Sequence, residues 1–338
     1  MSGGLDSTSV AAIGARELRR RGEDRPMRAI SWVFDELDAC DERPFIDAVV
    51  SRSGIEAWWV RGDDAWPLAN SSFLARNPGT PEQNAYRELK ERAHLKASAV
   101  GSRVALSGAS ADLYSSGTEP WLWDLLRRGR VAEAATSLAV DIRQRNLRHA
   151  LRRAGFGAFL RPLRALMASP VPNAPWLTEW AARSVTAEIY DANLAGIDLR
   201  HPYRDRRLTE FMLSVPAHQL YRHGRFKHLA REAAAGLLPP EIPARTEPTL
   251  LTPLFRRGIF ERERAAVRRL LLTSESAWDR YVDRNWVVEI LQVGPQRPHD
   301  EIVLWQCVSF ESWLRRHRWG AEARQFGDWS VSLTESAA

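Results

Sequence analysis

The sequence predicts an α/β fold: a doubly wound parallel sheet followed by a largely helical region. Three observations predict it. The first third of the 338 residues alternates helix-like and strand-like segments, the pattern that helical crossovers between parallel strands produce. Apolar runs rich in strand formers recur between the helical stretches: MRAISWVF (27–34), IEAWWV (55–60) and SRVALSG (102–108). From about residue 119 the patterning turns almost wholly helical.

Each element follows from local signals. Residues 7–21 (STSVAAIGARELRRR) set Val10, Ile13 and Leu18 at helical spacing. DERPFIDAVVSRSG (41–54) reads as a helix capped by Asp41, with Pro44 in its first turn and Gly54 at its end. PEQNAYRELKERAHLKASAVG (81–101) reads as a long helix opened by proline and closed by glycine. SRVALSG is expected as a buried strand running into a loop. Further helices are expected over 119–129, 131–153, 178–193, 206–214, 226–236, 260–272 and 300–318, with proline-rich connectors at 162–176, 239–253 and 294–298. The chain thus divides into an α/β portion (1–118), a mostly helical portion (119–318) and a tail (319–338). No internal repeat is present.

Composition narrows the class. With 44% hydrophobic and 27% charged residues the chain is neither disordered nor collagen-like. No stretch approaches the ~20 apolar residues of a membrane span, and the start lacks a secretory pattern, so the expected location is the cytoplasm. Cys40 and Cys307 show no CxxC spacing and are expected to pack as small apolar residues. The net charge of +6 raises the question of nucleic acid. The arginines are spread along helical stretches, however, and Lys90, Lys96 and Lys227 are the only lysines, which argues against a nucleic-acid face. The 14 tryptophans are scattered and are expected in helix packing.

The chemistry is concentrated in SGGLDS (Ser2–Ser7). Adjacent glycines expose successive N–H groups as an anion-binding nest. The hydroxyls of Ser2, Ser7 and Thr8 add donors, and the helix that follows points its positive end at the same place. An acid at position 6 beside a phosphate requires a cation between them, and Mg²⁺ bridging carboxylate and phosphate oxygens supplies it. The plainer reading is a tail that caps the helix through Asp6 or Ser7; the six residues in this order, followed by an amphipathic helix, favour phosphate binding.

SGGLDS resembles the pyrophosphate loop of the ATP-pyrophosphatase superfamily, in the form used by asparagine synthetases. Four later stretches resemble the same family in the same order: LSGASAD (106–112), IDLRHPYRD (197–205), RFKHLAREAAAGLLPPEIPAR (225–245) and LWQCVSFESWLRR (304–316). The resemblance covers residues 2 to about 318 and implies an adenine-nucleotide-hydrolase-like sheet with ATP and Mg²⁺ as ligands. On it, Ser2, Gly3, Gly4, Asp6 and Ser7 grip the phosphates, and Asp6 and Asp112 hold the metal. Trp32 and Val33 approach the adenine and Gly108 flanks the nucleotide. Asp198 takes the place of a carboxylate near the reacting amine, and Lys227 either neutralises phosphate charge or is a solvated lysine at a helix start. The implied reaction has two steps: a carboxylate attacks the α-phosphate to give an acyl-adenylate and pyrophosphate, and an amine then displaces AMP.

The resemblance also has departures. Glu247 and Pro248 stand where the family places a lysine after the arginine near 245, and Arg256 and Arg257 are the candidate substitutes. Ala109, Ser110 and Ala111 alter a loop that usually reads Gly-x-Gly-x-Asp. Arg204 is polar where the family prefers an apolar residue, and Arg200 and Asp205 are expected as a buried structural pair. His201 is expected as a neighbour of the pocket rather than a ligand. The family's N-terminal glutaminase domain has no counterpart here, so an amine is expected from outside or from a separate ammonia-supplying, glutaminase-like subunit. The acid is a small-molecule or peptide carboxylate: aspartate, or a peptide closed to a macrolactam as by lasso-peptide cyclases, which NAPWLTEWAAR (173–183) and RTEPTLLTPLFRRG (245–258) resemble. A non-catalytic ATP-binding paralogue is the third reading. A tRNA-modifying ligase or thiolase shares the loop but not the helical half. A phosphate loop at residue 2 leaves no room for the strand that usually precedes it, so the chain is expected to continue upstream and to be weakly folded or weakly active alone.

Overall fold

The computed structural model describes residues 1–69, 81–82, 84–112, 121–145, 186–222, 224–273 and 276–318. In chain order the elements are α1 (Leu5–Arg20), β1 (Arg28–Val33), α2 (Arg43–Ser53), β2 (Glu56–Arg61), α3 (Arg87–Ala99), β3 (Val104–Leu106), α4 (Trp121–Arg127), α5 (Val131–Arg145), α6 (Thr186–Leu194) and β4 (Asp198–Arg200). There follow α7 (Arg206–Ser214), α8 (Ala217–Leu220), α9 (His228–Ala234), α10 (Glu241–Ala244), α11 (Thr252–Arg256), a π-helical turn (Arg257–Arg262), α12 (Arg264–Leu271), α13 (Arg284–Val293) and α14 (Pro298–Arg318). The stretch 173–183 and the tail 319–338 lie outside the described residues, as do the connector 162–176 and parts of the helices expected over 131–153 and 178–193.

Local chemistry sets these boundaries. α1 carries Asp6 in its first turn and Arg19 and Arg20 in its last, each sign matched to the helix dipole. α2 ends on Gly54 at φ 62°, the left-handed cap that glycine tolerates. Its N-cap is Glu42 rather than the expected Asp41, because Asp41 Oδ1 accepts the Phe34 N–H at 3.1 Å. The helix expected from residue 81 begins only at Arg87. Ahead of it, Glu82 accepts the Asn84 N–H at 2.9 Å and Asn84 Oδ1 accepts the Tyr86 N–H at 3.0 Å, side-chain bonds that compete with helical ones. The described connectors hold helices that proline content obscured, α10 and α11, and α13 falls where the patterning predicts no helix.

The fold is mixed α/β and mostly helical, with parallel strands, but among the described residues the strands form two separate pairs, β1–β2 and β3–β4, and not one doubly wound sheet. Glu56 N–H donates to Met27 O and Gly62 N–H to Val33 O, an equal advance along both chains that makes the first pair parallel. The second pair is parallel in the register Val104↔Asp198, Ala105↔Leu199 and Leu106↔Arg200. No described strand links β1 to β3, so neither ladder extends. The expected burial of SRVALSG is corrected: Val104 and Leu106 are 46% and 43% exposed, on the outward face of a two-stranded ribbon whose other face carries the buried Leu199.

The chain forms two units: Met1–Ser31, Glu42–Trp58 and Gly101–Pro248 make the first, and Trp32–Asp41, Trp59–Val100 and Thr249–Ala338 the second. In the first, Leu5, Ala11, Ala12 and Ala15 of α1 pack with Ala29, Val49, Ile55, Ala234, Leu238 and Ile242. Small residues let α1 lie close to its neighbours, which fixes the loop that feeds it. A second cluster gathers Trp121, Leu122, Leu125, Ala134, Ala217 and Tyr221. In the second unit, Phe34, Cys40, Ala65, Leu89 and Leu254 form one cluster, and α12–α14 with Phe255, Ile259 and Trp278 form another. Cys40 and Cys307 are free and buried, as expected, and burial pushes the Cys307 thiol up to about 11. No described helix is long and apolar enough to cross a membrane.

Candidate functional site

The site lies in the first unit, where the start of α1 meets the loop after β3 and the N-terminus of α9. Residues 2–7 fold back on themselves. Ser7 Oγ accepts the Ser2 N–H at 3.0 Å and lies 2.8 Å from Ser2 Oγ, which accepts the Gly4 N–H at 3.2 Å. The two serines thereby close the turn and bring the glycine N–H groups to the α1 N-terminus. Thr8 Oγ1 donates to Gly4 O at 2.8 Å and is fully buried.

The second loop packs directly on the first. A Cβ built on Gly108 lies 2.7 Å from both Ser7 Cα and Ser7 N, so only glycine permits this backbone-to-backbone approach. Two residues on, Ser110 holds φ 75°, a left-handed conformation that costs a non-glycine residue about 1–2 kcal/mol. Arg204 Nε donates to Ser110 Oγ at 2.9 Å. The polar residue at 204 thereby pins the strained turn that precedes Asp112.

The loops bring three charged groups together. Lys227 Nζ lies 2.5 Å from Asp6 Oδ2 and 2.6 Å from Asp112 Oδ1. The Lys227 side chain is 16% exposed, so it is not the solvated lysine of the alternative reading. Its backbone sits at φ 56° as the N-cap of α9, which turns the side chain back across the start of α1. Burial pushes the Asp6 carboxyl above its ordinary value, and Lys227 offsets that only in part. For Lys227, burial works against the ammonium, but the two carboxylates outweigh it and raise its pKa. Tyr203 Oη also donates to Asp6 O at 3.3 Å.

Among the described residues no three His, Cys, Asp or Glu side chains converge as a metal cage. Two carboxylates aimed at one cationic point are nevertheless what Mg²⁺ takes when phosphate oxygens and water complete its shell. The Lys227 ammonium marks that point, and the donor set fits the ion.

Other expected residues fall elsewhere. Asp198 opens β4 opposite Val104, at the amino end of the parallel pair, whereas the loop carrying Gly108 and Asp112 leaves the carboxyl end. Its side chain is 55% exposed and bonded to Arg200 at 2.7 Å. The expected buried Arg200–Asp205 pair is therefore corrected: Arg200 binds Asp198, and Asp205 caps α7 by accepting the Arg207 N–H at 2.9 Å. Trp32 and Val33 belong to the second unit, where Trp32 Nε1 donates to Leu89 O at 2.9 Å and Val33 is buried. The substitute cations Arg256 and Arg257 also belong there and are engaged, Arg256 with Pro295 O at 2.8 Å and Arg257 with Glu36 at 2.8 Å.

Glu42, which no motif singles out, and Arg245, which closes the 225–245 motif, complete the loop. Glu42 Oε2 accepts the Gly3 N–H at 3.1 Å. Arg245 Nη1 donates to Glu42 Oε1 at 2.7 Å and to Gly3 O at 3.2 Å. The guanidinium lies 4.3 Å from the Phe45 ring centroid, a cation–π contact that fixes its plane. Arg231 holds the segment in place from behind, donating to Phe226 O, Pro243 O and Arg245 O at 2.7, 2.6 and 2.6 Å.

Residues 1–315 match the family model described as asparagine synthase. No curated protein matches the chain.

Proposed function

We propose that this chain, which belongs to the asparagine synthase family, is an ATP-dependent ligase that joins a carboxylate to an amine. The reaction passes through an acyl-adenylate and yields AMP and pyrophosphate. The observation that carries the reading is the convergence of Asp6 and Asp112 on one cationic point beside a serine-closed glycine loop.

Transfer at phosphorus demands positioning and charge stabilisation more than covalent help from the protein. The glycine N–H groups, the Ser2 and Ser7 hydroxyls and the α1 N-terminus orient the phosphates. Asp6 and Asp112 would hold Mg²⁺, which when bound would supply charge neutralisation for the leaving pyrophosphate. Lys227 carries its ammonium from the carboxylates to a phosphate oxygen, and Arg204 keeps Asp112 in place through Ser110. The departure at 247–248 does not strip the site of cations, since Lys227 and Arg245 both touch residues of the phosphate loop.

The family description supports aspartate as the acid and ammonia as the amine, and these are the substrates we propose. The test pairs calorimetric titration of Mg-ATP with a pyrophosphate-release assay, first with aspartate and ammonia and then with peptides bearing a side-chain carboxylate and a free amine. Release with aspartate supports the assignment, and release with peptides alone replaces aspartate by a peptide carboxylate. ATP binding without release under every condition makes the chain a nucleotide binder and overturns the ligase reading.

A further inference from the structure

Glu42 is placed as no capping residue needs to be. It is the N-cap of α2, yet its side chain makes no bond to that helix. Instead the carboxylate reaches Gly3: Oε2 accepts the Gly3 N–H at 3.1 Å and Oε1 accepts from Arg245 Nη1 at 2.7 Å. Both side chains of the ion pair are largely buried, 14% exposed for Arg245 and 16% for Glu42. A main-chain N–H from a glycine loop together with a guanidinium is the donor pair that a phosphate oxygen selects. The site is shaped tightly as well, because a Cβ on Gly3 stands 2.7 Å from Phe45 Cβ and 3.2 Å from Glu42 Cβ.

We propose that Gly3 N–H and Arg245 form a phosphate subsite, and that Glu42 fills it with its own carboxylate until a nucleotide phosphate displaces it. This rests on the phosphate-loop reading above and extends it by naming Arg245 as a phosphate ligand and Glu42 as the anion it is exchanged for. The exchange is balanced in charge: one carboxylate leaves the guanidinium and one phosphate oxygen arrives. Glu42 therefore tunes affinity for the triphosphate downward and lets pyrophosphate leave, since the carboxylate returns as the product departs. The alternative is a rigid clamp in which Glu42 only holds Gly3 in place, and the two predict opposite signs for the same measurement.

The experiment titrates inorganic pyrophosphate with Mg²⁺ into the full chain by calorimetry, comparing wild type, Glu42→Ala, Glu42→Gln, Arg245→Met and the Glu42→Ala/Arg245→Met double variant. Displacement predicts that Glu42→Ala binds about tenfold more tightly, the gain from one charge-assisted hydrogen bond that the anion no longer has to break. Glu42→Gln, which keeps an acceptor for Gly3 N–H but loses the charge, gains less. Arg245→Met binds more weakly, and the double variant shows no gain over it. Unchanged or weaker binding by folded Glu42→Ala and Glu42→Gln overturns the proposal and makes Glu42 a clamp, while leaving the phosphate loop intact. If neither wild type nor variants bind pyrophosphate or ATP, the phosphate-loop reading fails and this proposal with it. Circular dichroism checks the fold of each variant, and Glu42→Gln carries the comparison if Glu42→Ala does not fold.

Discussion

The ammonium of Lys227 lies 2.5 Å from Asp6 across 221 residues of sequence, with the same nitrogen 2.6 Å from Asp112. The helix that carries Asp6 and the helix capped by Lys227 are thus joined at one charged point. Removing the ammonium leaves two carboxylates facing each other. Lys227→Met should destabilise the chain by about 2–4 kcal/mol, the range for breaking a largely buried pair, reduced because Asp112 is open to solvent and screened. The ATP–pyrophosphate exchange rate should fall about 10²- to 10³-fold, as when one preorganised charge donor is lost. Denaturant melts and exchange kinetics read the two effects, and unchanged exchange would mean that Lys227 is structural only.

The contact of Gly108 with the Ser7 backbone gives a second prediction. In Gly108→Ala the new Cβ has no flexible side chain to push aside, because its neighbours at 2.7 Å are main-chain atoms. The two loops must separate, at a cost of about 1–3 kcal/mol. Mg-ATP affinity should fall with the melting temperature. A variant that melts normally and binds normally would show that the loops do not need this approach.

Ser110 predicts the opposite sign. At φ 75° it occupies the position where the family's loop carries its second glycine, and the reason for that glycine is visible in the backbone angle. Ser110→Gly relieves the left-handed conformation, but it also removes the hydroxyl that Arg204 binds and loosens the unfolded chain. The net effect expected is a gain of about 0.5–1 kcal/mol in stability, with the Arg204–Ser110 bond lost. A loss of stability would show that the Arg204 bond outweighs the strain.

What the sequence disclosed and what it hid follow from the same physics. The glycine loop and Asp6 are legible because their chemistry is local, a nest and an acid at a helix start, whereas Asp112 is reached only through the resemblance of LSGASAD to the family's second loop. Lys227 had two readings because nothing local says whether a lysine at a helix start folds back. The answer lies in a left-handed N-cap. Glu42 resembled any acid near a helix N-terminus, and Arg245 was one residue of a motif with no partner attached. Their bonds to Gly3 depend on tertiary placement. The strands were legible from apolar runs, but which strands share a ladder depends on strand order, which periodicity does not encode. The single doubly wound sheet expected from alternation therefore gave way to two pairs.

Asp6 offers the sharpest separation of stability from function. Burial raises its pKa, and the attraction of Lys227 recovers only part of that cost. A carboxyl whose folded pKa exceeds its unfolded value of 3.8 stabilises the fold below that value and loses the contribution as pH rises through the folded pKa. At neutral pH the charged Asp6 is therefore a net cost to the fold, tolerated at a site that needs the charge. Asp6→Asn keeps the shape, removes the buried charge and leaves Lys227 its bond to Asp112. Its melting temperature at pH 7 should equal or exceed that of wild type, and its advantage should shrink as pH falls toward 4, where wild-type Asp6 takes up a proton. ATP–pyrophosphate exchange should be abolished over the same range, because a neutral amide lacks the charge with which the carboxylate would hold Mg²⁺. Melting curves across pH, run beside exchange assays, test both halves. A large drop in melting temperature at pH 7 would show that the Asp6–Lys227 pair stabilises the fold, and exchange near the wild-type rate would show that Asp6 does not hold the metal.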